Sequence, residues 1–158
     1  MFDGALGAVS GDTHFEAIAK SDPMAQRLQR LRGVGPVIAT ALVTAVGSGE
    51  QFAKGRDLAV SLGLTPKQHS TGGKERLLGI SKRGDPYLRK LLIHGARSVI
   101  QHSKDKDDGL SRWIKGLTAR RHINVACVAL ANKTARIAWA MIRNGTDYEE
   151  KLAASPVA

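Results

Sequence analysis

A chain of 158 residues suits one domain with a real core, and 42% hydrophobic content excludes a disordered polypeptide. Aromatic residues make up only 4%, so the core must be built from Ala, Leu, Ile and Val, which favours close-packed helices over a β-sandwich. The formal charge of +10 and isoelectric point near 10.2 point to a polyanionic partner.

In chain order, residues 1–13 are small and aperiodic and read as a frayed start. A helical stretch begins near His14 and breaks at Asp22-Pro23, an N-cap residue followed by proline at the first helical position. The next helix, Met24 to Arg32, ends at the glycines of "GVGP", and Pro36 opens another that runs to Val46. A short helix is expected over Gly55 to Leu62, with Gly63 at its C-terminal cap. Residues 65–84 are rich in Gly, Ser, Thr and Lys and read as a loop with a small hairpin around Arg76 to Ile80. Asp85-Pro86 repeats the start signal and opens a helix to about Gln101; Leu110 to Leu117 and a long helix, Ile123 to Arg143, follow. The expected fold is mainly α: a helical domain with a helix-hairpin-helix element and a basic glycine-rich loop or small hairpin. The expected division is 1–20 as a linker remnant or frayed start, 21–146 as the domain, and 147–158 as a tail.

The single cysteine, Cys127, excludes an internal disulfide and fits a reducing compartment. Neither a basic-then-apolar leader nor an apolar run near the ~18 residues of a membrane span is read from the sequence. A soluble cytoplasmic protein with no membrane partner is therefore expected. The five histidines lack metal-ligand spacing, so no cofactor is expected in this chain.

The charge is unevenly placed. Residues 1–65 carry six basic and six acidic groups; residues 66–104 carry nine and two; residues 112–146 carry seven and none. A solubilising surface ordinarily mixes both signs. On the helix from Pro86, Leu88, Leu91, Leu92, Gly95 and Val99 form a core face, while Lys90, His94 and Arg97 recur at i, i+4 and i+7 as a basic stripe suited to phosphate contact. Arg89 belongs to the same cluster. The long last helix, apolar on nearly every face, reads as the central core helix with Cys127 packed in it.

In "LRGVGPVIATAL", two glycines one residue apart join two helices, and the second begins with proline. This pattern matches a helix-hairpin-helix turn, in which Gly33 and Gly35 bring bare N–H groups close to a phosphate at a helix N-terminus. An ordinary αα-corner also uses glycine. In "STGGKERLLGISKRGDPYLRKLL", Ser70 precedes the Gly72-Gly73 pair and sits among Lys67, Lys74, Arg76, Lys82 and Arg83. Those cations suit a phosphate and its transition-state charge, and the glycines admit backbone N–H groups. Serine needs a base, a metal or a strongly positive site to act as a nucleophile. By composition alone, a phosphate-binding loop without chemistry is the simpler reading.

The blocks "GVGP", "LGLTPKQHSTGGK" and "GISKRGDPYLRKLL" in this order resemble the C-terminal half of insertion-sequence family 110 transposases (1111 subgroup), from about Ala19 to Gly145. The resemblance implies a helical transposase domain whose serine attacks DNA and forms a phosphoserine link during strand exchange. It assigns that role to Ser70, with Thr71 and Ser81 as register alternatives. It also implies an N-terminal RNase H-like domain with four acidic residues holding a divalent metal such as Mg, a guide RNA, a DNA partner and a homo-oligomer. Residues 1–65 supply no such acidic cluster, so a truncated copy, inactive alone, is expected. The competing reading is a non-enzymatic helix-hairpin-helix module that binds DNA or RNA.

Overall fold

The structure, a computed structural model, describes residues 13–71, 74–80 and 85–148, with the backbone alone for 66–71 and 74–80. The protein is mainly α. Helix α1 covers residues 13–21, followed by α2 (Pro23–Leu28), α3 (Pro36–Val46) and α4 (Gly55–Ser61). A two-stranded antiparallel hairpin, β1 (Pro66–Thr71) and β2 (Lys74–Ile80), separates α4 from α5 (Pro86–His102). Helices α6 (Gly109–Thr118) and α7 (Ile123–Asn144) complete the chain.

Aspartates set where these helices begin. Asp22 Oδ1 accepts from the N–H groups of Met24 and Ala25, at 2.8 and 3.2 Å, and Pro23 takes the first helical position, where no N–H is needed. Asp85 repeats the device on α5, accepting from Tyr87 and Leu88 at 3.0 and 3.2 Å. Asp57 accepts from Lys54 N at 3.0 Å to close the start of α4, and Asp108 caps α6. Each arrangement lies within three residues, and such a cap stabilises its helix by about 1 kcal/mol.

Two expectations need correction. Helix α2 stops at Leu28 rather than Arg32, because Arg30 N bonds Arg27 O and Leu31 N bonds Leu28 O. These i→i−3 bonds tighten the chain into a turn. The hairpin also extends further than Arg76 to Ile80: its register pairs Pro66 with Ile80, Gln68 with Leu77, His69 with Arg76, Ser70 with Glu75 and Thr71 with Lys74, with an irregularity between Pro66 and Gln68.

The core lies where α5 and α7 cross and where α4 and α3 close over them. Leu28, Leu42, Leu58, Leu64, Leu88 and Met141 are fully buried. Burying each such side chain stabilises by about 1.5–3 kcal/mol. Helix α7 contributes Ala126, Ala131, Ala135 and Ala138 beside Cys127, Leu130, Ile137 and Met141, and the small residues allow its neighbours to approach. Cys127 is packed in this core, and burial pushes its thiol up from the ordinary value. By length and composition α7 would reach across a membrane, so the expected lack of any such apolar run does not hold. Half of that apolar window is buried against the rest of the fold. The apolarity of α7 is thus that of a central helix surrounded by others.

Candidate nucleic-acid interface

The turn between α2 and α3 contains the first two sequence-predicted site residues, and they differ in kind. Gly33 has φ +83, and a β-carbon there would come within 2.8 Å of both Gly95 O and Val99 Cγ2 on α5. Its side-chain position is therefore filled by α5. Gly35 has φ −90 and ψ −172, an extended conformation open to any residue, with nothing within 4 Å of a built β-carbon. The expectation that both glycines are needed for the turn is thus corrected: only Gly33 is. Gly35 is the N-cap of α3, and no side chain caps that first turn.

Arg32 anchors the turn from below. Its guanidinium lies 2.6 Å from Asp108 Oδ2 and donates to Ser111 Oγ at 3.1 Å, and Ser111 Oγ donates to Asp108 Oδ1 at 2.6 Å. Burial alone would raise the Asp108 carboxyl; the bonds from Ser111 and Arg32 outweigh it and hold it well below the usual carboxylate range. A cleft of about 220 Å³ opens beside the turn, lined by Arg32, Gly33, Ser98, His102 and Lys106 among others.

The hairpin sets Ser70 in β1 opposite Glu75, and Thr71 opposite Lys74 across the two-residue connection. Lys67 lies at the irregularity in β1, and Arg76 opposes His69. Gly72, Gly73, Ser81, Lys82 and Arg83 lie outside the described residues. The acidic residue opposite Ser70 escaped sequence reasoning, because Glu75 stands among cations in the chain and only strand register brings it to the serine.

Helix α5 begins six residues after the hairpin's last paired position and separates its residues by face. Leu88, Leu92, Ala96, Val99 and Ile100 are buried, whereas Tyr87, Lys90, His94 and Arg97 are exposed. Arg89 turns the other way, is half-buried and donates to Leu62 O at the end of α4 at 3.5 Å. Arg97 donates to Asn124 Oδ1 at 3.1 Å, which joins the basic stripe to the start of α7.

The second basic segment is not a uniform surface. Lys133 is 3% exposed and sits with Nζ 4.8 Å from the Trp113 ring centroid, a cation–π contact inside the fold. Burial, with a smaller push from Arg136, lowers its ammonium from the ordinary value. Arg112 lies 3.9 Å from Asp107. Arg120 and Arg121, by contrast, are exposed.

Among the described residues, no group of three or more His, Cys, Asp or Glu is placed to hold a metal ion. Five of the described carboxylates have other partners: Asp22, Asp57, Asp85 and Asp108 are tied to helix starts, and Asp147 pairs with Arg27 and Arg30 at 3.4 and 3.3 Å. The resemblance places its divalent metal on a separate acidic domain, not on these residues.

The profile of the transposase IS116/IS110/IS902 family matches residues 25–110. The chain belongs to this family. It is 50% identical over 137 residues to a probable family 20 transposase of Pseudomonas aeruginosa, covering 87% of this chain and 40% of that relative. It is 48% identical over 146 residues to the transposase for insertion sequence element IS1111A of Coxiella burnetii, covering 92% and 40%. With the transposase for insertion sequence element IS1328 of Yersinia enterocolitica the identity is 45% over 129 residues, covering 82% and 39%. The chain thus spans about two fifths of the length of the curated relatives it matches. The profile match includes the turn with Gly33 and Gly35, the hairpin with Ser70, and all of α5.

Proposed function

We propose that this chain is the DNA-contacting, strand-exchange part of a transposase, with Ser70 as the nucleophile. The observation that carries the proposal is the position of Ser70 on a basic hairpin directly ahead of α5, whose exposed face is also basic and is covered by the family match. Lys67, Lys74, Arg76, Lys82 and Arg83 supply positive charge for the attacked phosphate, and Gly72 and Gly73 admit backbone N–H groups to it. Lys90 and Arg97 hold the neighbouring backbone, Arg89 borders it, and the Gly33–Gly35 turn acts as a clamp at the start of α3.

In the proposed step the Ser70 hydroxyl oxygen attacks the phosphorus of a phosphodiester. A phosphoserine bond forms, the bond from phosphorus to one deoxyribose oxygen breaks, and the serine proton is carried to that departing oxygen. Glu75, opposite Ser70 in register, is the candidate to take up the proton. A guide RNA, a homo-oligomer and a metal-bearing acidic domain are partners implied by the family resemblance, and no part of the step above is routed through them.

A specific observation keeps the non-enzymatic reading in play: the described carboxylates cap helices and pair with arginines, which suits a phosphate-binding module as well. The two readings differ in covalency. The chain is placed in the corresponding segment of a full-length relative and incubated with DNA, guide RNA and divalent metal. A protein–DNA adduct that disappears in Ser70→Ala, with DNA binding retained, supports strand exchange. An adduct that persists in Ser70→Ala and vanishes in Thr71→Ala or Ser81→Ala moves the nucleophile. No dependence on any of the three removes the serine mechanism.

A further inference from the structure

Tertiary packing brings together two basic segments that are separate in the sequence. On α5, Tyr87, Lys90, His94 and Arg97 follow one another at helical spacing and are all exposed. From Tyr87 to Arg97 that face runs roughly 15 Å along the helix axis. At its end Arg97 donates to Asn124 Oδ1 at 3.1 Å, and Asn124 N donates to His122 Nδ1 at 3.1 Å. These two bonds fasten the α6–α7 turn to the end of the stripe. The turn is exposed over seven consecutive residues, Ala119 to Val125, and carries Arg120 and Arg121.

The sequence has no acidic residue from Pro86 to Lys104 or from Gly109 to Thr146, so neither component contains a counter-charge of its own. Among the described residues, Lys90, Arg120 and Arg121 have no carboxylate partner, in contrast to Arg27, Arg30 and Arg112. A fold ordinarily scatters or pairs its surface charges. Here four cations from two elements, Lys90, Arg97, Arg120 and Arg121, stay exposed without a carboxylate partner among the described residues, those of α5 along one line with His94 between them. One strand of duplex DNA carries a phosphate about every 3.4 Å of helix axis, so such a line meets several in succession.

We propose that the exposed face of α5 and the α6–α7 turn form one continuous surface for the phosphate backbone of duplex DNA, with Arg120 and Arg121 as its far contacts. This rests on the DNA-binding reading above and extends it away from the Ser70 hairpin. The exposed ring of Tyr87 lies at the near end, in the first turn of α5.

The test titrates a fluorescent duplex of about 20 base pairs with the full chain at several salt concentrations. The variants are Arg120→Ala/Arg121→Ala and a control, Lys54→Ala/Arg143→Ala, which removes the same charge elsewhere. The expected result is that Arg120→Ala/Arg121→Ala keeps the wild-type melting temperature, binds roughly tenfold more weakly and shallows the log affinity against log salt slope by about two. The control loses markedly less. Wild-type affinity in Arg120→Ala/Arg121→Ala, or an equal loss in the control, overturns the surface. If Lys82→Ala/Arg83→Ala weakens binding in the same assay, the DNA-binding reading stands even then. A wild-type chain that ignores the duplex at low salt, or that binds only RNA, overturns both.

Discussion

A β-carbon on Gly95 would overlap the carbonyl oxygen of Gly33, and one on Gly33 would come within 2.8 Å of the carbonyl oxygen of Gly95. The turn after α2 and the middle of α5 meet backbone to backbone, and neither position has room for a methyl group. This contact sets the turn against the cleft beside α5 and holds α3 in place above it.

Gly95→Ala and Gly33→Ala are therefore both expected to destabilise the fold by about 1–3 kcal/mol, and Gly33→Ala carries the added strain of a positive φ. Gly35→Ala is expected to stay within about 1 kcal/mol of wild type, since its φ is ordinary and its surroundings open. Urea denaturation followed by circular dichroism separates the cases. A Gly35→Ala loss as large as that of Gly95→Ala would contradict the assignment of the tight contact to Gly33.

Because Gly35 is structurally replaceable, it separates clamping from folding. If the first turn of α3 receives a phosphate, Gly35→Val keeps its helical content and melting temperature yet binds DNA more weakly, since the branched side chain blocks approach to the uncapped N–H groups. Unchanged affinity in the folded variant would leave the turn with a joining role only.

Salt dependence reports on the basic segment 67–83. Binding of the full chain to duplex DNA should weaken steeply between low and physiological salt, because neutralised phosphates release their counterions. Lys82→Ala/Arg83→Ala should weaken binding to all sequences alike and shallow the slope by about two. Affinity that is flat with salt in the wild-type chain would remove the electrostatic basis of the interface.

Asp108 gives the fold an acid-sensitive joint. Its carboxyl is depressed in the folded protein from an ordinary value of 3.8 by the bonds from Ser111 and Arg32. The unfolded chain binds the proton more readily, so the stability from this group is present above about pH 4 and is lost as pH falls further toward the folded value. Asp108→Asn should lower the melting temperature at pH 7, and the gap to wild type should narrow below about pH 4. A gap that is the same at pH 7 and pH 2.5 would mean that the ion pair does not contribute.

What the sequence by itself determined is local. Asp22-Pro23 and Asp85-Pro86 mark the starts of α2 and α5 because a cap reaches only two or three residues along the chain. The apolar periodicity of α5 and the apolar residues on nearly every face of α7 marked core positions for the same reason, since a helix repeats its own geometry. The order of the glycine turn, the "HSTGG" block and the basic helix was sufficient to identify the family. Tertiary structure alone decided which of these residues meet. It placed Glu75 opposite Ser70, buried Lys133 under Trp113, locked Gly33 against Gly95 while leaving Gly35 open, and joined Arg97 to Asn124 across 27 residues. Charge counted along the chain cannot distinguish Lys133 from Arg121, because only packing determines which cation is desolvated and which faces the solvent.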